Sequence, residues 1–187
     1  MNKTQLIIFV VVLVTTAACT SHRHYADFSD WTSVGEAQWV QQPRAVRSSS
    51  EVPLSYLVSS QVYRDYQLDI EFYPNAEVNS GVFLNCQSAT EIDATQCHEV
   101  NIWDNHPRQE FRTGSIVGKV FPPKQHLNTL DKWNRYSIVV QQGSVRVTLN
   151  GQETAYLAES DLSEGYLALQ KAEGGEIKFR NLMITPL

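Results

Sequence analysis

Short runs of alternating apolar and polar residues, each ended by a turn signal, fill this chain and leave little room for helices. Leu68, Ile70 and Phe72 alternate with Asp69, Glu71 and Tyr73 before Pro74-Asn75 stops the run. A period of two marks a strand with one buried face. Comparable strands are predicted over 37–41, 53–59, 81–86, 98–103, 114–120, 133–141, 144–150, 152–155, 165–170 and 176–185. The β-branched residues Ile138, Val139, Val140, Val145, Val147 and Thr148 flank Gln142-Gly143, and Asn150-Gly151 and Gly174-Gly175 supply further tight turns. Only 158–163 predicts a short helix. Many short strands at this spacing, with no 3.6-residue period, predict an all-β fold: a two-sheet antiparallel sandwich or jelly roll.

The N-terminal segment obeys a different rule. Lys3, an apolar stretch from Leu6 to Val14, and Ala17-Ala18 directly before Cys19 form a lipoprotein signal pattern. Its apolar middle is too short to span a bilayer, which takes about 20 residues. The expected division is therefore a signal peptide at 1–18, a lipidated Cys19 with a polar tether at 19–27, and a single domain at 28–187. A plain secretory signal cut near Ala18 is the rival reading. Thr20 rather than Asp follows the cysteine, which by resemblance to sorted lipoproteins implies a location in the bacterial cell envelope, on the outer membrane facing the periplasm. His22 and His24 fall in the tether and are expected to be solvated.

Removing the signal leaves 169 residues with 14 basic and 20 acidic side chains. That acidic balance excludes a nucleic-acid partner, because a phosphate backbone is bound through clustered cations. Cys86 and Cys97 then form an even pair in an oxidising compartment, and a disulfide closing 87–96 is expected. Such a closure contributes about 3 kcal/mol by chain entropy. A redox thiol is disfavoured, since the chain contains no CxxC spacing.

Within 98–103, alternation sends Glu99, Asn101 and Trp103 to one side and Val100 and Ile102 into the core. A carboxylate, a carboxamide and an indole in one row suit a sugar: polar groups meet hydroxyls and the ring packs on an apolar sugar face. A strand Glu is more often just a solvated residue. Arg135 and Arg180 fit structural salt bridges, and Trp31, Trp39 and Trp133 fit packing roles beside apolar alternation. His98, His106 and His126 lack the HExxH spacing of zincins, but with Asp104 they keep a divalent-metal site open; no cofactor is otherwise expected.

In order and spacing, NSGVFLN at 79–85, EVNIWD at 99–104, TGSI at 113–116, WNRYSIVV at 133–140, LNG at 149–151, ALQ at 168–170 and FRNLMITPL at 179–187 resemble the 3-keto-disaccharide hydrolase family. The resemblance covers 28–187 and implies a concanavalin A-like jelly roll with a carbohydrate groove on its concave sheet. It also implies cleavage of a glycosidic bond in a sugar oxidised at C3, by base-initiated elimination and hydration. By this resemblance Glu99 matches the family's glutamate and is the first candidate for general base, and Asp104 matches its aspartate, at the rim or on a metal. His106 is the other acid or base candidate, because imidazole titrates near neutrality. Arg112 and Lys119 are candidates for oxyanion or hydroxyl contacts, with Asn101 and Trp103 as substrate contacts. The sequence departs from the family pattern at Asn101, where Gln is usual, and at His98, where an aromatic is usual. The alternatives are a non-catalytic carbohydrate-binding lipoprotein or an assembly protein whose groove takes a partner's strand.

Overall fold

The computed structural model describes residues 23–36, 38–48, 54–75, 78–122, 127–172 and 174–187. The expected signal segment at 1–18, Cys19, His22 and His126 lie outside the described residues. Among the described residues thirteen strands are present: β1 His24–Tyr25, β2 Thr32–Gly35, β3 Trp39–Gln42, β4 Ala45–Ser48, β5 Ser55–Arg64, β6 Tyr66–Pro74, β7 Ser80–Cys86, β8 His98–Ile102, β9 Asn134–Gln141, β10 Ser144–Leu149, β11 Gln152–Leu157, β12 Glu164–Lys171 and β13 Ile177–Pro186. They form two antiparallel sheets, as the alternation requires. One runs β11-β10-β9-β6-β13-β4-β3, with β1 also paired to β13; the other runs β2-β5-β12-β7-β8.

The inner faces meet in one continuous core that includes Leu57, Leu68, Ile70, Phe72, Val82, Leu84, Val100, Ile102, Tyr136, Ile138, Leu167 and Phe179. Burying each such side chain contributes roughly 1.5–3 kcal/mol. Tyr136 stacks on Phe72 at 4.7 Å, and its hydroxyl donates across the sandwich to the carbonyl of Asn101 at 2.6 Å. One buried ring thus fixes the height of β8 above the opposite sheet.

The hairpin turns follow their residues. Gln142-Gly143 and Asn150-Gly151 hold left-handed backbone at both positions, the geometry that matches strand twist in a two-residue loop. Other segments depart from expectation. Residues 114–120 form no strand; Ile116 makes isolated bridges to Val100 and Val120, because Gly114 and Gly118 at φ +93° and +72° turn the chain. Residues 158–163 form no helix, since six residues seldom nucleate one and the Ser160 hydroxyl instead bonds Leu162 and His98. β2 and β4 were not legible: β2 is mostly exposed and lies at the edge of its sheet. Strand pairing also extends N-terminal to Phe28, as His24 and Tyr25 pair with Ile184 and Met183.

Candidate functional site

The five-stranded sheet has a second apolar patch on its outer face. Tyr56, Val58, Phe83 and Ala168 pack there against Cys86, Ile92 and Cys97. Cys86 and Cys97 form the expected disulfide. Strand alternation alone would turn Cys86 inward with Val82 and Leu84. A β-bulge prevents this: between Phe83 and Cys86 the register against Ala168 and Tyr166 gains one residue, and Asn85 takes φ +54°. The bulge moves Cys86 to the outer face, and the bridged 87–97 loop folds back over that face with Ile92 as its apolar contact.

Beside this loop lies the candidate site. Glu99, Asn101 and Trp103 carry outward parity, while Val100 and Ile102 are buried in the core as expected. Cross-strand register then adds residues distant in sequence. Tyr56, Gln170, Gly81 and Asn101 stand in one line across β5, β12, β7 and β8, and Val58, Ala168, Phe83 and Glu99 form the next. Gly81 makes the room. A methyl group there would lie 3.2 Å from Glu99 Oε1 and 3.3 Å from its Cγ, so the missing side chain is what lets the carboxyl lean over β7.

Burial raises the Glu99 carboxyl from its ordinary range to about 7. Among the described residues no cation or amide offsets it. Tyr56 is also pushed up, first by burial and then by the carboxylates of Glu99 and Asp93, so its hydroxyl keeps its proton. The Gln170 amide reaches that hydroxyl at 3.5 Å, a weak contact. Asp93 itself is held low by bonds from Thr95 and Gln96, which keep it ionised on the disulfide loop. The arrangement pairs a poorly solvated base with a neutral phenol and an amide, which can take a proton from carbon and hold the resulting oxyanion.

Not every expected residue joins this group. The Asp104 carboxylate accepts from the Thr129 amide at 2.7 Å and the Thr129 hydroxyl at 2.8 Å, fastening the end of β8 to the 127–131 loop. Arg112 is buried beside Asp104 rather than in the row; burial lowers its guanidinium and Asp104 opposes that shift. Lys119 turns to His98, 3.0 Å from Nδ1. An ammonium can only donate, so Nδ1 accepts, and the Nε2 proton goes to Ser160. Burial and Lys119 hold His98 down at about 4, a neutral structural link. His106 Nδ1 accepts from the Arg108 amide while its ring packs on Trp103 at 4.4 Å; burial lowers its pKa. Among the described residues no three His, Cys, Asp or Glu gather as a metal cluster.

Asn101 is 2% exposed, and its amide nitrogen donates to the Phe111 carbonyl. This pulls the loop after β8 over the outer face. Among the described residues its Oδ1 has no donor. Tyr56 and Gln170 escaped sequence reasoning, because their strands read only as strands; a polar residue on a strand's second face was the one available signal. On the opposite sheet, Arg135 pairs with Asp69 and Arg180 with Glu71, as expected of structural ion pairs. Trp133 is 37% exposed there, with Arg180 stacked at 3.8 Å.

Known folds resemble this one closely in shape and weakly in sequence. A candidate glycosyl hydrolase from Parabacteroides distasonis superposes with a TM-score of 0.72 at 18% identity, covering 86% of this chain and 90% of that one. The carbohydrate-binding module CBM66 from Bacillus subtilis gives 0.56 at 13% identity, covering 82% and 93%. A Bacillus licheniformis beta-glucanase gives 0.55 at 12% identity, covering 90% and 99%. These likenesses establish the jelly-roll fold. No curated protein matches the sequence. Residues 25–185 match the 3-keto-alpha-glucoside-1,2-lyase-like domain, and on that match the chain belongs to this family.

Proposed function

We propose that this protein cleaves glycosides already oxidised to a ketone at C3. Family membership makes carbohydrate-directed chemistry the coarse class; the finer reading rests on Glu99, poorly solvated and unpaired above Gly81. A C3 ketone acidifies the C2 hydrogen. Glu99 takes that proton, and the electron pair moves into an enolate whose C3 oxygen accepts from Tyr56 and from the Gln170 amide. Collapse of the enolate breaks the C1–O bond, the departing oxygen takes up a proton, and water then adds OH at C1 and H at C2. One base and one oxyanion holder suffice.

Ordinary glycoside hydrolysis needs two carboxylates flanking the bond, about 5 to 9.5 Å apart. The other family-matched carboxylate, Asp104, is occupied by Thr129, and His106 is engaged by Arg108, so neither supplies an evident partner to Glu99. That engagement of Asp104 and His106 also favours the rival reading, a carbohydrate-binding module without catalysis. Turnover of a 3-keto-disaccharide beside its unoxidised parent separates the two. Product from the keto form alone is expected; product from both indicates conventional hydrolysis, and binding without product indicates the module.

We further propose that Cys19 carries the lipid that anchors the protein in the outer membrane. Its motif, with small residues before the cysteine, supports this reading. A Cys19→Ala variant should move from the membrane fraction to the soluble periplasmic fraction. Unchanged membrane association would overturn the assignment.

A further inference from the structure

Four aromatic rings make successive contacts beginning at the end of β8. Trp103 and His106 lie 4.4 Å apart, His106 and Phe111 5.7 Å, and Phe111 and Phe121 5.7 Å. The series is anchored to the site, because the Phe111 carbonyl takes the Asn101 amide, and Asn101 lies two residues from Glu99 on the same strand face. Two residues along a strand span about 7 Å, so this bond holds the segment at Phe111 in the neighbourhood of the carboxyl. Arg108 covers one face of Phe111 at 4.1 Å. Phe121, at the far end, is 57% exposed, the highest value among the exposed large hydrophobic residues described. A lone exposed ring needs no explanation, but one that continues a file of rings leading to a candidate base presents a stacking surface.

A second observation at the same place also calls for a ligand. Asn101 Oδ1 is buried and has no donor among the described residues, and the grip of Phe111 on the amide nitrogen prevents a flip from relieving it. A substrate hydroxyl at the junction between the two halves of the site would supply the missing donor.

We propose that Phe121, with Phe111, forms a leaving-group subsite that stacks the flat apolar face of the group attached at C1, either an aryl ring or the C–H face of a second pyranose. The inference rests on the reading of Glu99 as the base acting at C2. Bond cleavage would take place over Gly81 and Glu99, with the departing group lying along the rings. Selectivity for that group then comes from Phe121, which takes no part in the proton transfer.

The test compares methyl, phenyl and glucosyl 3-keto-α-glucosides with the full-length wild type, Phe121→Ala and Phe121→Tyr. Phe121→Ala should lower kcat/KM for the phenyl and glucosyl substrates about tenfold relative to the methyl one, mainly through KM, and Phe121→Tyr should restore the ratio. A loss confined to the phenyl substrate identifies an aryl subsite, and one confined to the glucosyl substrate identifies a sugar subsite. An unmoved ratio overturns the proposal while leaving the Glu99 reading intact. Should wild type turn over none of the three, that reading fails instead. Calorimetry with the unoxidised phenyl α-glucoside then decides the subsite alone: about tenfold weaker binding to Phe121→Ala supports it, and equal binding rejects it.

Discussion

Turnover of a 3-keto-disaccharide should fall about 100- to 10,000-fold in Glu99→Gln, with the far-UV circular dichroism unchanged. Gln preserves the volume over Gly81 and removes only the ability to accept a proton. Full activity in the variant would refute Glu99 as the base. Wild-type activity should also rise as pH passes upward through about 7, where Glu99 loses its proton. Stability should move the other way. The folded protein keeps this proton up to about 7, whereas the unfolded chain loses it near 4.5. Between those values unfolding releases a proton, so stability drops as pH rises, by at most about 3 kcal/mol. Gln carries no such penalty. Glu99→Gln should therefore be more stable than wild type at pH 8 and nearly equal at pH 4, as measured by denaturant unfolding; parity at both pH values would show that Glu99 is not desolvated.

The second large effect concerns the disulfide. Cys86→Ser should lose about 3 kcal/mol under oxidising conditions and almost nothing relative to the reduced wild type. Equal loss in both states would mean that packing, not the cross-link, carries the stability. The same variant should change the chemistry. The bridged loop lays Ile92 on the patch that includes Phe83, the cross-strand neighbour of Glu99. Freeing the loop admits water, so the acid limb of the pH–rate profile should shift from about 7 toward 4.5. A limb that stays in place would show that another element keeps water from the carboxyl.

Most of the strands, the two-residue hairpin turns, the disulfide partners and the sides taken by Glu99, Val100, Asn101 and Ile102 were legible in the chain. Each depends on local rules: a period of two, left-handed backbone at Asn-Gly and Gln-Gly, and two cysteines left to pair. Local rules failed at 114–120, where glycines turn an apolar run into bridges, and at 158–163, where side-chain bonds outweigh a weak helical tendency. For Asp104, Arg112 and Lys119 the residue type was suggestive of chemistry, but Thr129, the buried setting beside Asp104, and His98 claim their polar groups.

The line of Tyr56, Gln170, Gly81 and Asn101 shows what lay beyond the primary structure. Its members come from four strands, and Tyr56 and Gln170 are 114 residues apart. Their alignment depends on which strands pair and in what register, and a one-residue slip would turn each side chain to the other face. The bulge at Asn85 and the return of the 87–97 loop then decide how much water reaches Glu99. Alternation along the chain determined which way each side chain can point, because that is set by the backbone of a few neighbouring residues. Only the tertiary structure decided what each one meets, because that depends on hydrogen-bonded partners far along the chain.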